Sequence, residues 1–256
     1  IDIVPWSPDP ERFAKLAREQ QHDVTSSRLD DTLLRAFACS CKEARNAADA
    51  WLAQSPKSAW AYAASGVQYS AAAYAARGTE FIDKTPPERI LRMDELHKKA
   101  VVDLDRALAI NPDLSVALAK RIAIDRIEGR TDEAHNRLVA AIRRAPESYQ
   151  LQYEAATLAE PKWGGAPGEL QAARRRLVDA SATNPMLLLE LTDLDWKAHE
   201  CSDCKWDMRT YQPMLDEAPT LGVLRKAGIY EVDHQDDVDL VDAALVEALE
   251  AVVALE

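Results

Sequence analysis

Cysteine, histidine and aspartate are the residue types in this chain that could hold a metal ion. Cys201 and Cys204 have the spacing of a zinc knuckle, Cys39 and Cys41 form a second close pair, and His199 lies nearby in sequence. Tetrahedral zinc requires four such ligands. Because most of the chain separates the two pairs, we expect free thiols, or a disulfide between Cys201 and Cys204, rather than a shared zinc site.

A second candidate is the oxygen-rich run Asp233, His234, Asp236 and Asp237. Carboxylate oxygens bind Ca²⁺, but the run lacks the turn glycine and the distal glutamate of a calcium loop. Acidic side chains in front of a helix are also favoured by the helix dipole. We therefore interpret the run as a solvated cap and predict no metal ligands and no cofactor.

Sequence motifs for catalysis are missing. The chain has no Gly-rich phosphate loop, no Gly-x-Ser-x-Gly and no His-Glu-x-x-His, and its five histidines are scattered. The sequence therefore predicts a protein that is not an enzyme. The alternative is a metal-binding protein or enzyme that uses Cys201/Cys204 and the Asp233/His234/Asp236 cluster.

Aromatic residues are the candidates for binding a partner, because Tyr and Trp bury a large contact area at a small entropic cost. Six of them are predicted on the first helices of helical hairpins: Trp60, Tyr62, Tyr69, Tyr74, Tyr149 and Tyr153. Trp163 precedes two glycines in a loop and is either an exposed anchor or a plug between helices. Asp236 and Asp237 complete the predicted partner-binding residues.

Two arginine runs, 143–144 and 174–176, could form a basic stripe for a carboxylate-bearing peptide. The simpler interpretation is a solvated helix face that pairs with neighbouring acids.

The elements that position these residues are marked by prolines at 56, 112, 146 and 185, each of which follows an apolar stretch. Positions −12, −8 and −5 from each proline share a pattern: Ala44, Ala48, Trp51; Ala100, Leu104, Ala107; Ala134, Leu138, Ala141; Ala173, Leu177, Ala180. Spacings of 4 and 3 place residues on one helix face, and proline stops the helix. A small first residue lets a neighbouring helix approach closely. The interval from Pro112 to Pro146 is the tetratricopeptide period.

The best copy of this repeat covers residues 114–146. Its first helix is predicted to end at Gly129 with a left-handed C-cap, and Thr131 or Asp132 is predicted to cap a second helix that reaches Arg144. The neighbouring copies carry insertions at 79–88, with an extra helix, and at 161–168.

Outside these copies we expect a short helix at 10–21, the first helix of a fourth unit at 187–199 and an irregular segment at 207–233. A final helix at 236–255 would cover the open end of the stack. The predicted fold is thus an all-α, helical-hairpin (tetratricopeptide-like) solenoid with insertions and a C-terminal capping helix. The predicted domains are 1–205 for the repeats and 206–256 for the irregular segment and cap, packed together.

Residues 50–78 and 161–165 resemble a bacterial domain family of unknown function, in which Trp…Pro-x-Ser, Arg-Gly and Trp-Gly-Gly recur. The matching positions are Trp51, Pro56, Arg77, Gly78, Trp163, Gly164 and Gly165. The resemblance spans roughly residues 40–200 and implies a bacterial source and a tetratricopeptide-like fold. It implies no catalytic residue.

The net charge of −12 is concentrated at the C-terminal end, where residues 229–256 hold nine acids and no lysine or arginine. Because such a chain repels phosphate backbones, we expect no nucleic-acid partner. A basic protein surface is the better match, unless the acids serve only to keep the last helix soluble.

No apolar run reaches the ~20 residues of a membrane span, and no signal peptide is visible, so we expect a cytoplasmic protein. The start at Ile1 leaves an upstream signal or anchor open, and the oligomeric state is not indicated. The function predicted is a non-enzymatic protein–protein interaction module. A toxin-neutralising (immunity) or secretion-associated protein is the narrower version.

Overall fold

The computed structural model describes residues 28–188 together with 190, 191 and 194. Within them the chain forms eight α-helices and no strand, which confirms the all-α prediction. The helices are α1 (Arg28–Phe37), α2 (Lys42–Gln54), α3 (Ala59–Arg77), α4 (Pro87–Ile110), α5 (Ser115–Ile127), α6 (Thr131–Ile142), α7 (Tyr149–Leu158) and α8 (Glu169–Ser181), with 3₁₀ turns at Ile82–Lys84 and Pro161–Trp163.

The chain divides into two compact units, Ile1–Leu158 and Ala159–Glu256. Helices α1–α7 belong to the first unit and α8 to the second. The predicted domain boundary at 205/206 and the predicted helices at 10–21 and 236–255 lie outside the described residues. Of the predicted helix 187–199, the described positions are helical.

The proline-anchored pattern correctly predicts which residues are buried. All twelve positions of the pattern are buried except Ala180, which is half-buried. The small residues Ala100 and Ala134 have no exposed surface, and Ala173 is 2% exposed. Each of the four helices also ends before its proline, as at Gln54 before Pro56. Alanine lets these helices form and approach each other without a loss of side-chain entropy.

Contacts between helices in the first unit follow a regular scheme. Each helix from α1 to α6 packs on the next one, and each odd-numbered helix also packs on the next odd-numbered helix: α1 on α3, α3 on α5 and α5 on α7. One apolar core joins α1–α4 with one face of α5, and a second joins α5, α6 and α7. The odd-numbered helices therefore form a row along this unit.

Gly66 of α3 allows a close contact with α4. A Cβ added there would lie 2.6 Å from Leu104 Cγ and 3.1 Å from the Ala100 carbonyl oxygen. The two longest helices, α3 and α4, can approach this closely only because position 66 has no side chain.

Two local predictions are wrong in detail. The insertion at 79–88 does not form a separate α-helix: it holds a 3₁₀ turn, and Pro87 starts an α4 of 24 residues. Proline is well suited to the first turn of a helix, because its missing N–H would have no helical partner. Helix α6 begins at Thr131 and ends at Ile142, without a side-chain cap, because its N-cap residue is Arg130.

Gly129 adopts the predicted left-handed conformation after α5, with φ of +74°. Among the described helices, none is long and apolar enough to cross a membrane.

Candidate functional site

The predicted aromatic residues separate into a packed set and an exposed pair. Trp60, Tyr62 and Tyr69 are half-buried and pack on the core of the first unit. The Tyr69 ring also has the Arg45 guanidinium 4.2 Å and the Lys99 ammonium 5.7 Å from its centroid. These three side chains therefore stabilise the fold.

Tyr74 and Tyr153 are the exposed pair. They stand on the odd-numbered helices α3 and α7, and 47% and 38% of their respective surfaces is exposed. Tyr149, at the start of α7, is half-buried. The exposed tyrosine surface of the first unit thus lies on its row of odd-numbered helices.

A buried ion pair lies near these two tyrosines. Arg126 of α5 and Glu154 of α7 are 8% and 4% exposed at the side chain, and Arg126 Nη2 lies 3.5 Å from Glu154 Oε2. Burial raises the pKa of Tyr74, Arg126 opposes that rise, and Glu154 and Tyr153 add to it. The four side chains therefore lie close enough to interact electrostatically.

Lys120, two turns before the end of α5, adds a further cation. Burial lowers the pKa of its ammonium, Glu154 opposes that effect and Arg126 adds to it. We call Tyr74, Lys120, Arg126, Tyr153 and Glu154 the odd-helix cluster. It offers aromatic surface and two hydroxyls next to a buried ion pair.

Asp125 is the centre of a second buried cluster, separate from the odd-helix cluster. Its carboxylate is 1% exposed and accepts hydrogen bonds from Arg121 at 2.5 Å, Arg130 at 2.7 Å and Arg137 at 3.2 Å. Burial alone would raise the pKa of Asp125, but the bonds from Arg121 and Arg130 outweigh it and lower the pKa. This carboxylate ties α5, the segment after it and α6 together.

An open cleft of about 740 Å³ lies between α4 and α5. Its wall is apolar at Ile90, Met93, Val101, Val102 and Ile127 and charged at Asp94, Lys98, Arg121, Glu128 and Arg130. Arg121 and Arg130 of this wall form ion pairs with Asp125 and Glu128. They therefore add no uncompensated positive charge to the cleft.

Next to Glu128 of this cleft lies His97 of α4, which has no exposed surface. Glu128 Oε1 is 3.2 Å from its Nδ1, and the Tyr74 ring is edge-on to it with centroids 6.5 Å apart. Burial lowers the pKa of His97, while Glu128 and Asp94 oppose that effect.

Trp163 lies in the second unit and is half-buried in the 3₁₀ turn Pro161–Trp163. Gly164 has φ of +91°, whereas Gly165 is needed for another reason. A Cβ at Gly165 would lie 2.2 Å from the Ala159 carbonyl oxygen. The two glycines therefore serve a turn and a close backbone approach, and only one of them uses positive φ.

The first cysteine pair differs from expectation. Cys39 and Cys41 form a disulfide, with their Cα atoms 5.3 Å apart, instead of free thiols or zinc ligands. Cys-x-Cys places the two sulfurs close in sequence, and the turn between α1 and α2 brings them together. Among the residues that the structure describes, no group of three His, Cys, Asp or Glu side chains could hold a metal ion.

Several predicted site residues lie outside the described part of the chain. These are Cys201, Cys204, Asp233, His234, Asp236 and Asp237. Of the two arginine runs, Arg144 is exposed and pairs with Asp113 at 3.2 Å, as the solvated-face interpretation expects. Arg175 and Arg176 of α8 are exposed.

Sequence reasoning missed His97 and Asp125, although both left a trace in the pattern. Met93, His97, Ala100 and Leu104 follow spacings of 4, 3 and 4, so His97 continues the buried face of α4. Asp125 interrupts the apolar run of α5 directly after Ile124. A polar residue in a buried register position indicates a buried polar contact.

A comparison with models of protein families, with curated proteins and with solved structures finds no match to this chain. The resemblance to the bacterial Trp-Gly-Gly family therefore stays a prediction, and the geometry of the first unit has to support any functional conclusion.

Proposed function

We propose that this chain is a non-enzymatic protein-interaction module, a tetratricopeptide-like solenoid that binds a partner protein or peptide along its odd-numbered helices. The repeat is supported by the proline-anchored pattern and by the scheme in which α1, α3, α5 and α7 contact one another in sequence. A row of helices of this kind offers a continuous surface to a partner.

The observation that carries the proposal is the exposure of Tyr74 and Tyr153 above a buried ion pair. A tyrosine that is half exposed loses water from a large apolar ring on binding, and its hydroxyl still finds a polar partner. The buried ion pair between Arg126 and Glu154 holds α5 and α7 together next to these rings, because separating two buried charges is costly. Such pre-organised aromatic surface is typical of binding hot spots.

Photo-crosslinking in cells of the source organism tests the proposal. A photoreactive phenylalanine analogue replaces Tyr74 or Tyr153 in turn. The matched control carries it at Val139 of α6, which is also 38% exposed but lies on an even-numbered helix. We expect both tyrosine positions to give the same crosslinked protein and Val139 to give none of it. Crosslinks only from Val139 would contradict the proposal.

The narrower proposal is a toxin-neutralising or secretion-associated protein with a basic partner. It is supported by the net charge of −12 and by the resemblance to a bacterial family. The identity of the crosslinked protein tests it, since a partner with an acidic surface would contradict the charge argument.

The predicted cytoplasmic location also remains to be tested. A disulfide such as Cys39–Cys41 is more typical of an oxidising compartment. Alkylation of freshly lysed cells, followed by mass spectrometry of the peptide that holds both cysteines, distinguishes the two. Full alkylation at Cys39 and Cys41 would support the cytoplasm, and protection would support an oxidising compartment.

A further inference from the structure

His97 occupies an unusual position for a titratable group. It has no exposed surface, and in the described part of the chain neither ring nitrogen has a hydrogen bond of good geometry. Glu128 Oε1 is nevertheless only 3.2 Å from Nδ1, close enough to form an ion pair once the imidazole is protonated. A buried histidine without good hydrogen bonds is stable in its neutral form, because charging it would require solvation.

The imidazole also contacts the proposed binding surface. The ring of Tyr74, a member of the odd-helix cluster, lies edge-on to His97 with an angle of 76° between the planes. Glu128, on the other hand, lines the open cleft between α4 and α5. His97 is therefore in contact with a group of the cleft and with a group of the odd-helix cluster.

The charged and titratable groups around His97 come from every neighbouring segment. Tyr74 faces it from α3, Asp94 from its own helix, and Glu128 and Arg130 from the segment after α5. The two carboxylates favour the imidazolium and Arg130 opposes it, whereas burial favours the neutral ring. Glu128 also pairs with Arg130, so a charged His97 would compete for a carboxylate that is already held.

We propose that His97 is a proton-sensitive link, through which acidification charges the imidazole next to Glu128, loosens the packing beneath Tyr74 and weakens partner binding at the odd-helix cluster. The inference rests on the proposed function, because Tyr74 is taken to be part of the binding surface. A new charge at a site without solvent gains most by approaching the carboxylate of the cleft. Because Glu128 Oε1 is already 3.2 Å from Nδ1, a charged ring would tighten this pair and thereby change its edge-on contact with Tyr74.

The sign of the pH effect follows from the lowered pKa of His97. The unfolded chain binds a proton below its ordinary value of about 6.5 while the folded chain does not yet bind one. The stability contributed by neutral His97 is therefore complete above that pH and is lost as the pH falls through the interval down to the folded value.

NMR spectroscopy of the full chain with ¹³C-labelled histidine and tyrosine rings tests the link without a partner. Between pH 8 and pH 5 we expect the Tyr74 ring resonances, assigned with Tyr74→Phe, to shift with the same midpoint as His97, below about 6.5. His97→Gln should abolish the Tyr74 shift. The matched control, His135→Gln, removes an exposed histidine on α6 and should leave it unchanged. A Tyr74 ring that ignores pH, or that still responds in His97→Gln, would overturn the link.

A second variant keeps His97 in place in case His97→Gln does not fold. Glu128→Gln removes the carboxylate that favours the imidazolium, so the midpoints of His97 and Tyr74 should move together to lower pH. A Tyr74 midpoint that stays at the wild-type value overturns the proposal.

The two proposals fail separately. If Tyr74→Ala leaves binding of the crosslinked partner unchanged while the rings still titrate together, the binding function is wrong at this residue. If Tyr74→Ala weakens binding but Tyr74 does not respond to pH, only the link is wrong. With both correct, the dissociation constant of the partner rises at least threefold from pH 7.5 to pH 5.5 in wild type and stays constant in His97→Gln.

Discussion

Asp125 shows how much a single residue contributes to this fold. Its carboxylate is 1% exposed and joins Arg121, Arg130 and Arg137, which come from α5, the following segment and α6. Without this carboxylate, Arg121 keeps only its pair with Asp105 and Arg130 only its pair with Glu128, while a buried position loses the acceptor of three hydrogen bonds. The cost of such a change is therefore far above that of breaking an exposed ion pair.

We expect Asp125→Asn to lower the free energy of unfolding by about 2–3 kcal/mol, measured by urea denaturation at pH 7. The matched control is Asp49→Asn, which breaks an i,i+4 pair with Arg45 in which Asp49 is 60% exposed. That change should cost less than ~1 kcal/mol. Equal losses in the two variants would show that the Asp125 cluster does not stabilise the first unit.

Because the pKa of Asp125 is lowered, the free energy of unfolding depends on pH in a second, more acidic range. Its contribution is present above the unfolded value of about 3.9 and is lost as the pH falls through the folded value. The loss due to His97 starts near pH 6.5, so the two effects separate along the pH axis. Unfolding free energies measured from pH 8 to pH 3 should show the upper step disappear in His97→Gln and the lower one in Asp125→Asn.

The positions of Asp125, Tyr74 and Tyr153 in the fold were only partly predictable from the sequence. The alternation of charges around Asp125 is compatible with a solvated helix face, since only the packing of α6 against α5 removes it from water. Tyr74 and Tyr153 were predicted with four other aromatic residues. The sequence contains no information on which of the six would be covered, because that depends on the neighbouring helices.

At the scale of the element, the repeat pattern predicts equivalent contacts in different helices. Ala100 of α4 and Ala134 of α6 occupy the same position in the pattern, and both have no exposed surface. Ala100→Leu and Ala134→Leu should each overpack a helix contact and cost about 1–3 kcal/mol. Ala109→Leu, at an exposed position of α4, should change the free energy of unfolding by less than ~0.5 kcal/mol.

At Gly66, helix propensity and packing predict opposite effects of a Gly→Ala substitution on stability. In the middle of an exposed helix, Gly→Ala stabilises by up to ~1 kcal/mol. At Gly66 the new Cβ would lie 2.6 Å from Leu104 Cγ, so we expect Gly66→Ala to lower the melting temperature. A higher melting temperature would show that α3 and α4 are not in close contact there.

Helix positions and stops were the most predictable features of the elements. Proline stops and small residues at fixed spacings are local properties. They mark the buried faces of α2, α4, α6 and α8, and each of these helices ends before its proline. The insertion at 79–88 was harder, because a proline can either stop a helix or start one, and Pro87 starts α4. Its effect depends on whether the next residues continue the pattern, and here they do for a helix of 24 residues.

At the scale of the whole molecule, the charge distribution predicts how a partner associates. If the acidic C-terminal residues steer a basic partner, Asp236→Asn with Asp237→Asn should slow its association, and the wild-type rate should fall with salt because charges are screened within ~8–10 Å. The matched control removes two exposed acids of α6, Asp132 and Glu133. We expect stopped-flow rates to fall only in the first variant. Association rates that change neither with salt nor in either double variant would show that these acids do not steer the partner.

The central claim is that the odd-numbered helices of the first unit bind a partner through Tyr74 and Tyr153. Titration calorimetry with the crosslinked partner tests it most directly, with circular dichroism to confirm that each variant is folded. Tyr74→Ala and Tyr153→Ala should each weaken binding by about 30-fold, equivalent to ~2 kcal/mol. Val139→Ala, which truncates an equally exposed side chain on α6, should weaken it by less than about threefold. Wild-type affinity in both tyrosine variants, with a loss in Val139→Ala, would contradict the claim.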